Sequence, residues 1–216
     1  MTRSTLARWT LLAAATAAAP AFAAPILLDF EGVGSQAAVD DFYNGGTDSA
    51  GNSGTNVGVH FGSNSLGLVE QDPSANFSGE PTPNTIMFFL TGSAVLNYAP
   101  GFDTGFSFWY TTVGFTGTVN VYDGLDATGN LLGTISLPAL GAGPDPSNPF
   151  SSWAIGSLAF AGTARSIDFG GTVNQVGFDN ITFGSTDPNR VPEPASLALV
   201  AVALAGAAGF ARRRPA

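Results

Sequence analysis

The 216-residue chain contains no cysteine and no lysine, and its only histidine is His60. Without cysteine there can be no disulfide and no thiolate metal site, so the compartment has to be read from other features. Without cysteine or lysine, thiol and Schiff-base catalysis are excluded. Charge is sparse at 11%, against 44% hydrophobic residues. A solvated, disordered chain has the opposite balance. Away from the two ends, the charge present is almost all of one sign. Arg3 and Arg8 lie at the start and Arg212, Arg213 and Arg214 at the end, so Ala24 to Arg190 holds two arginines against fifteen acids, a net −13. Such a body repels phosphate backbones, which excludes nucleic acid as a partner, and it attracts divalent cations.

Catalytic motifs are equally scarce. No G-x-S-x-G elbow, G-x-G-x-x-G turn or P-loop occurs in the body, and Gly62-Ser63-Asn64-Ser65 misses the elbow spacing. His60 stands between Val59 and Phe61 in a strand-like run with no nucleophile tied to it, and reads as structural. Fifteen acids supply carboxylate pairs of glycosidase type by chance, so a glycoside hydrolase is a competing reading without a specific signal. The expectation is a protein that is not an enzyme.

Glycine and proline are abundant, with 28 and 14 copies, and they separate short β-branched and aromatic runs. These runs predict strands at Ile26–Phe30, Val57–Phe61, Leu66–Glu70, Ile86–Leu90, Ala94–Tyr98, Gly105–Thr111 and Thr118–Tyr122. Others follow at Leu131–Leu137, Trp153–Phe160, Ser166–Phe169 and Val176–Phe183. Alternation is clearest where Phe106, Phe108 and Tyr110 share one face and Ser107 and Trp109 the other. Eleven short strands and no competing helical window predict an all-β, two-sheet, jelly-roll-like β-sandwich over residues 24–186.

The two ends carry addresses. Arg3 and Arg8, the apolar stretch from Trp9 to Ala19, and small residues at Ala21 and Ala23 form a signal peptide over residues 1–23, for cleavage by signal peptidase after Ala23. After a linker at 187–190 comes Val191-Pro192-Glu193-Pro194, then an uncharged apolar run over 195–211, then Arg212-Arg213-Arg214. Seventeen helical residues reach roughly 25 Å, barely enough for a single transmembrane helix. The arginines form a membrane stop on the cytoplasmic side, which leaves the body outside.

Residues 191–216 closely resemble the PEP-CTERM sorting signal. That resemblance implies processing by an exosortase near Pro192-Glu193-Pro194 and delivery to the surface of a Gram-negative cell that makes extracellular polysaccharide. More loosely, Leu28-Asp29-Phe30-Glu31-Gly32, Val121-Tyr122-Asp123-Gly124 and Gly177-Phe178-Asp179-Asn180-Ile181-Thr182-Phe183 resemble jelly-roll domains, including MAM-type and carbohydrate-binding ones. In those folds the first and last strands are neighbours, and acids on them can hold a calcium ion.

Two candidate sites result. Asp29 and Glu31, two apart on a predicted strand, face the same way, and Asp179 on the last strand joins them. Three carboxylates without a basic partner suit a Ca2+ ion. The loops at Asp48–Asn52 and Asp123–Asn130 miss metal-loop spacing and read as plain turns. For sugar contact the candidate aromatics are Trp109, Tyr122 and Trp153, with Tyr43 and Tyr110 behind them, since flat rings beside polar groups suit saccharides. The expected function is a non-catalytic surface or extracellular-matrix protein, calcium-stabilised and bound to exopolysaccharide. The alternative is a self-associating structural surface protein.

Overall fold

A computed structural model describes residues 25–189. Eleven strands form: β1 Ile26–Leu28, β2 Val59–Phe61, β3 Leu66–Val69, β4 Thr85–Phe88, β5 Ala94–Phe102, β6 Gly105–Thr112, β7 Gly117–Tyr122, β8 Leu131–Leu137, β9 Ala154–Ala159, β10 Ala164–Gly171 and β11 Val176–Phe183. They build two antiparallel sheets. The first runs β3-β4-β11-β6-β9, with β1 also paired to β11, and the second runs β2-β5-β10-β7-β8. All eleven predicted strands are present, and no helix occurs among the described residues.

Alternation decides which side chains meet between the sheets. Phe106, Phe108 and Tyr110 of β6 point inward, as do Val119 and Val121 of β7 and Ile167 and Phe169 of β10. Phe108 meets Phe169 edge-on at 5.6 Å, and Phe169 meets Phe178 at 4.9 Å, so rings from both sheets close one core. Gly156 of β9 lies beneath the Phe108 ring, in space that a Cβ would occupy. Among the described residues, this core runs from Leu28 to Phe183.

Two departures from simple alternation matter for the site. On β11, both Phe178 and Ile181 are core residues although three positions separate them. The register shifts between Asp179 and Thr182, and Asn180 takes φ 50°, a left-handed conformation that asparagine tolerates. The bulge turns Ile181 and Phe183 back inward. The second departure is that β1 stops at Leu28 rather than Phe30, because Phe30 has φ 59° and turns the chain away. Asp29 and Glu31 therefore leave the strand, and the two-residue spacing no longer sets their direction.

The first and last strands do pair, Leu28 opposite Ile181. Within the expected linker, Pro188 is buried and its carbonyl accepts from Thr182 Oγ1, so residues 187–189 fold back on β11.

Candidate functional site

Outward positions of β6 carry Ser107, Trp109 and Thr111 on the exterior of the first sheet. Trp109 is partly buried, opposite Ile155 of β9 on one side and Asp179 of β11 on the other. Its Nε1–H is shielded from solvent and has no acceptor among the described residues, and the same holds for the Thr111 hydroxyl. Unpartnered buried polar atoms are costly and uncommon. Two of them at successive outward positions of one strand mark this face.

Two long connections lie across that exterior. The β3–β4 and β8–β9 segments meet at a bridge between Phe77 and Phe150, where Phe150 N–H donates to the Asn76 carbonyl at 3.2 Å. Ser78 Oγ donates to Asp145 Oδ2, and Trp153 Nε1–H donates to the Ser78 carbonyl at 3.0 Å. Phe77 and Phe150 pack with Leu68, Ile86 and Phe88 into a second, smaller apolar cluster. Beside it lies a small hollow of about 30 Å³, with Phe77, Phe88, Phe150, Asn76, Asn174 and Thr111 in its lining. The hollow has room for about one water, and Phe150 and Trp109 keep their rings partly exposed on this exterior.

Of the three candidate aromatics, Trp109 and Trp153 share this exterior and Tyr122 does not. Tyr122 ends β7 on the outside of the second sheet, opposite Ser166. Trp153 is a wall of the small cluster, with its N–H already used. Sequence reasoning missed Phe77, Phe150, Asn76, Asn174 and Thr111. The available signal was a lone phenylalanine inside a polar loop, at Asn76-Phe77-Ser78, which has to dock on something.

The acids gather at the other end of the same face. Asp179 is fully buried and accepts from the Thr82 N–H and hydroxyl and from the Asn180 N–H. Burial pushes its carboxyl up to about 7, the donors pull against that, and the charge of Glu31 adds to it. Glu31 is also raised, by burial first, against the Thr85 N–H it accepts and with the charges of Asp29 and Glu80 adding. Asp29 Oδ1 accepts from the Tyr43 hydroxyl at 3.3 Å. Burial, helped by Asp29, holds the Tyr43 phenol well above its usual range. The three predicted acids thus do come near one another, but their oxygens face protein N–H and O–H groups. Among the described residues, no three His, Asp or Glu side chains are placed to hold a metal ion.

Asp48 accepts from Gly34, Ala50 and Asn52, and Asp123 accepts from Asn130, so both loops are turns closed on their own amides. His60 is exposed and contacts Asp41 at 2.9 Å. Ala21, Ala23, Val191, Pro192, Glu193, Pro194 and Arg212–Arg214 lie outside the described residues, as do the expected signal peptide and the expected membrane span at 195–211.

Residues 190–214 match the PEP-CTERM protein-sorting motif. No curated protein matches the chain. Among solved structures, the carbohydrate-binding module CBM6cm-2 of Cellvibrio mixtus lichenase 5A, in complex with cellotriose, is similar with a TM-score of 0.36 at 12% identity, over 58% of this chain and 89% of that one. The K3 cleaved adhesin domain of Lys-gingipain from Porphyromonas gingivalis W83 gives 0.37 at 15% identity, over 74% and 98%. A family 43 arabinoxylan arabinofuranohydrolase from Bacillus subtilis, in complex with cellotetraose, gives 0.37 at 20% identity over 56% of this chain and 24% of that enzyme. At such scores neither fold nor ligand transfers to this chain. The motif at 190–214 does identify it as an exported protein that is anchored in a membrane and then processed.

Proposed function

We propose that the protein is a non-catalytic surface module that binds an extracellular polysaccharide through the exterior of its first sheet. One observation carries this reading: Trp109 and Thr111 present buried, unpartnered polar atoms at successive outward positions of β6, and Thr111 lines a hollow of phenyl rings and amides. A saccharide brings hydroxyls for polar partners and an apolar ring face for the partly exposed rings of Trp109 and Phe150. The strand order supports a jelly roll: β4-β11-β6-β9 faces β5-β10-β7-β8, the interleaving of two Greek keys. Binding is favoured over hydrolysis because Asp179, the acid whose pKa near 7 would suit a general acid, is fully buried beneath Thr82. The hydrolase reading requires turnover that disappears when one carboxylate is replaced. Glycan retention of the purified body, with Trp109 and Thr111 replaced in turn, tests the binding reading.

A second reading places a calcium ion against Asp29, Glu31 and Asp179. It is favoured by Glu80, whose charge acts on Glu31 and whose Oε2 is buried without a hydrogen-bond partner. The hydrogen bonds these acids already make weigh against it. Under this reading calcium raises the melting temperature and a chelator reverses the rise. A melt that ignores both leaves the acids as loop anchors.

For delivery we propose export by the leader at 1–23, a brief anchorage through 195–211, and exosortase cleavage near Pro192-Glu193-Pro194. Changing those three residues to alanine is expected to leave full-length protein in the membrane fraction. Immunoblots showing the same shortened, released species from the variant would contradict it.

A further inference from the structure

Six large apolar side chains are prominently exposed among the described residues, and three gather at one pole: Leu90 at 44%, Phe115 at 48% and Val173 at 41%. Each sits on a turn that carries the chain between sheets, β4 to β5, β6 to β7 and β10 to β11. Because β4, β11 and β6 are neighbours in one sheet and β5, β10 and β7 in the other, these turns lie side by side, about 5 Å apart. The order across the pole is Leu90, Val173, Phe115. Pairing fixes it, with Val176 opposite Thr112, Gly171 opposite Gly117, and Asn174 N–H donating to the Phe89 carbonyl at 2.9 Å.

None of the fifteen acids of the body lies in the three turns, Phe89–Ser93, Val113–Thr116 and Thr172–Gln175. The adjoining turn Gly62–Ser65, reached through a Thr91–Asn64 hydrogen bond, is also uncharged. In the flanking β8–β9 connection the one acid, Asp145, is bound to Ser78 and Asn148. Both ends of the described chain leave from the opposite pole, since Ile26 pairs with Phe183 where β11 finishes. The eight residues of β11 separate the poles by about 26 Å. The sorting motif begins at residue 190, so the chain leaves toward it from the pole opposite the apolar one.

We propose that this uncharged apolar pole is a self-recognition surface, through which two copies of the chain pair pole to pole. Charge selects the occupant. Two bodies of −13 repel through most of their surface, and pole-to-pole contact keeps those charges farthest apart. An anionic partner finds no cation there, since Arg165 stands at the far end of β10. The patch is small, so a single pair is weak. This goes beyond the glycan reading and does not rest on it.

The test is sedimentation velocity of the body, residues 24–189, over rising protein concentration at low and high salt. The wild type is expected to shift from monomer to dimer with concentration, and further with salt as repulsion is screened. The triple variant L90S/F115S/V173S, with an unchanged melting temperature, is expected to weaken the dimer at least tenfold. Leu131→Ser, an exposed site at the far end of β8, is expected to dimerise like the wild type. A wild type that stays monomeric at every concentration overturns the proposal. So does a triple variant that dimerises unchanged, or a monomer that binds neutral phosphatidylcholine vesicles through these same three residues.

Discussion

Asp179→Asn is expected to match the wild type in stability at acid pH and to exceed it increasingly from pH 5 to pH 8. The folded-state carboxyl is pushed up to about 7 by burial, with the Thr82 and Asn180 donors opposing and Glu31 adding, against an ordinary value of 3.8. Between those values the folded protein holds a proton that the unfolded chain has released. Stability is therefore fully present below about 3.8, falls as pH rises, and is lost above about 7. The loss is on the order of 4 kcal/mol across the window. Asparagine cannot ionise and keeps an acceptor for the Thr82 N–H, so its variant lacks that slope. Glu31 and Glu80, also raised by burial, slope in the same direction. Asp41, Asp72, Asp123 and Asp145 are lowered by hydrogen bonds, and their opposing contributions vanish only at more acid pH. Denaturant midpoints at pH 5 and pH 8 decide it. A wild-type curve flat across that range would mean the carboxylate is ionised and satisfied by its donors.

Phe108→Ala is expected to cost about 3–5 kcal/mol, the usual range for emptying a phenylalanine site in a packed core. The ring is fully buried and touches both sheets. Phe106 lies at 5.5 Å, Phe169 at 5.6 Å, Phe178 at 5.8 Å and Tyr110 at 6.3 Å between centroids. Gly156 beneath it has no side chain to move into the space. Urea unfolding measures the loss, and a cost below about 1 kcal/mol would show that the sheets close without this ring.

These two sites also show what the sequence could convey. The Phe106, Phe108, Tyr110 alternation is a period-two pattern, a local property, and the structure places all three rings in the core. Strand positions were legible for the same reason, because glycine and proline mark the turns and the β-branched runs lie between. The pairing of the first strand with the last was an expectation from resemblance, and β1 does lie on β11. Backbone irregularities were hidden. Phe30 and Asn180 both take positive φ, and nothing in their residue types required it. Those two positions redirect Asp29 and Glu31 and reset the inward face of β11. The hollow was hidden for another reason. It depends on Phe77 meeting Phe150 across two long connections, a contact that spacing along the chain does not encode. Trp109 was legible as facing away from the phenylalanines of β6, but Trp153 and Tyr122 were not separable from it until the sheets were assigned.

The most direct test of the binding reading is affinity electrophoresis of the body through gels containing a panel of neutral polysaccharides. The wild type is expected to be retarded by at least one of them. Trp109→Ala and the near-isosteric Thr111→Val are expected to migrate freely while melting like the wild type, and Tyr122→Ala, on the other sheet, to be retarded unchanged. Free migration of the wild type through every gel, or retardation that survives both β6 substitutions, would contradict the assignment of a glycan to this face.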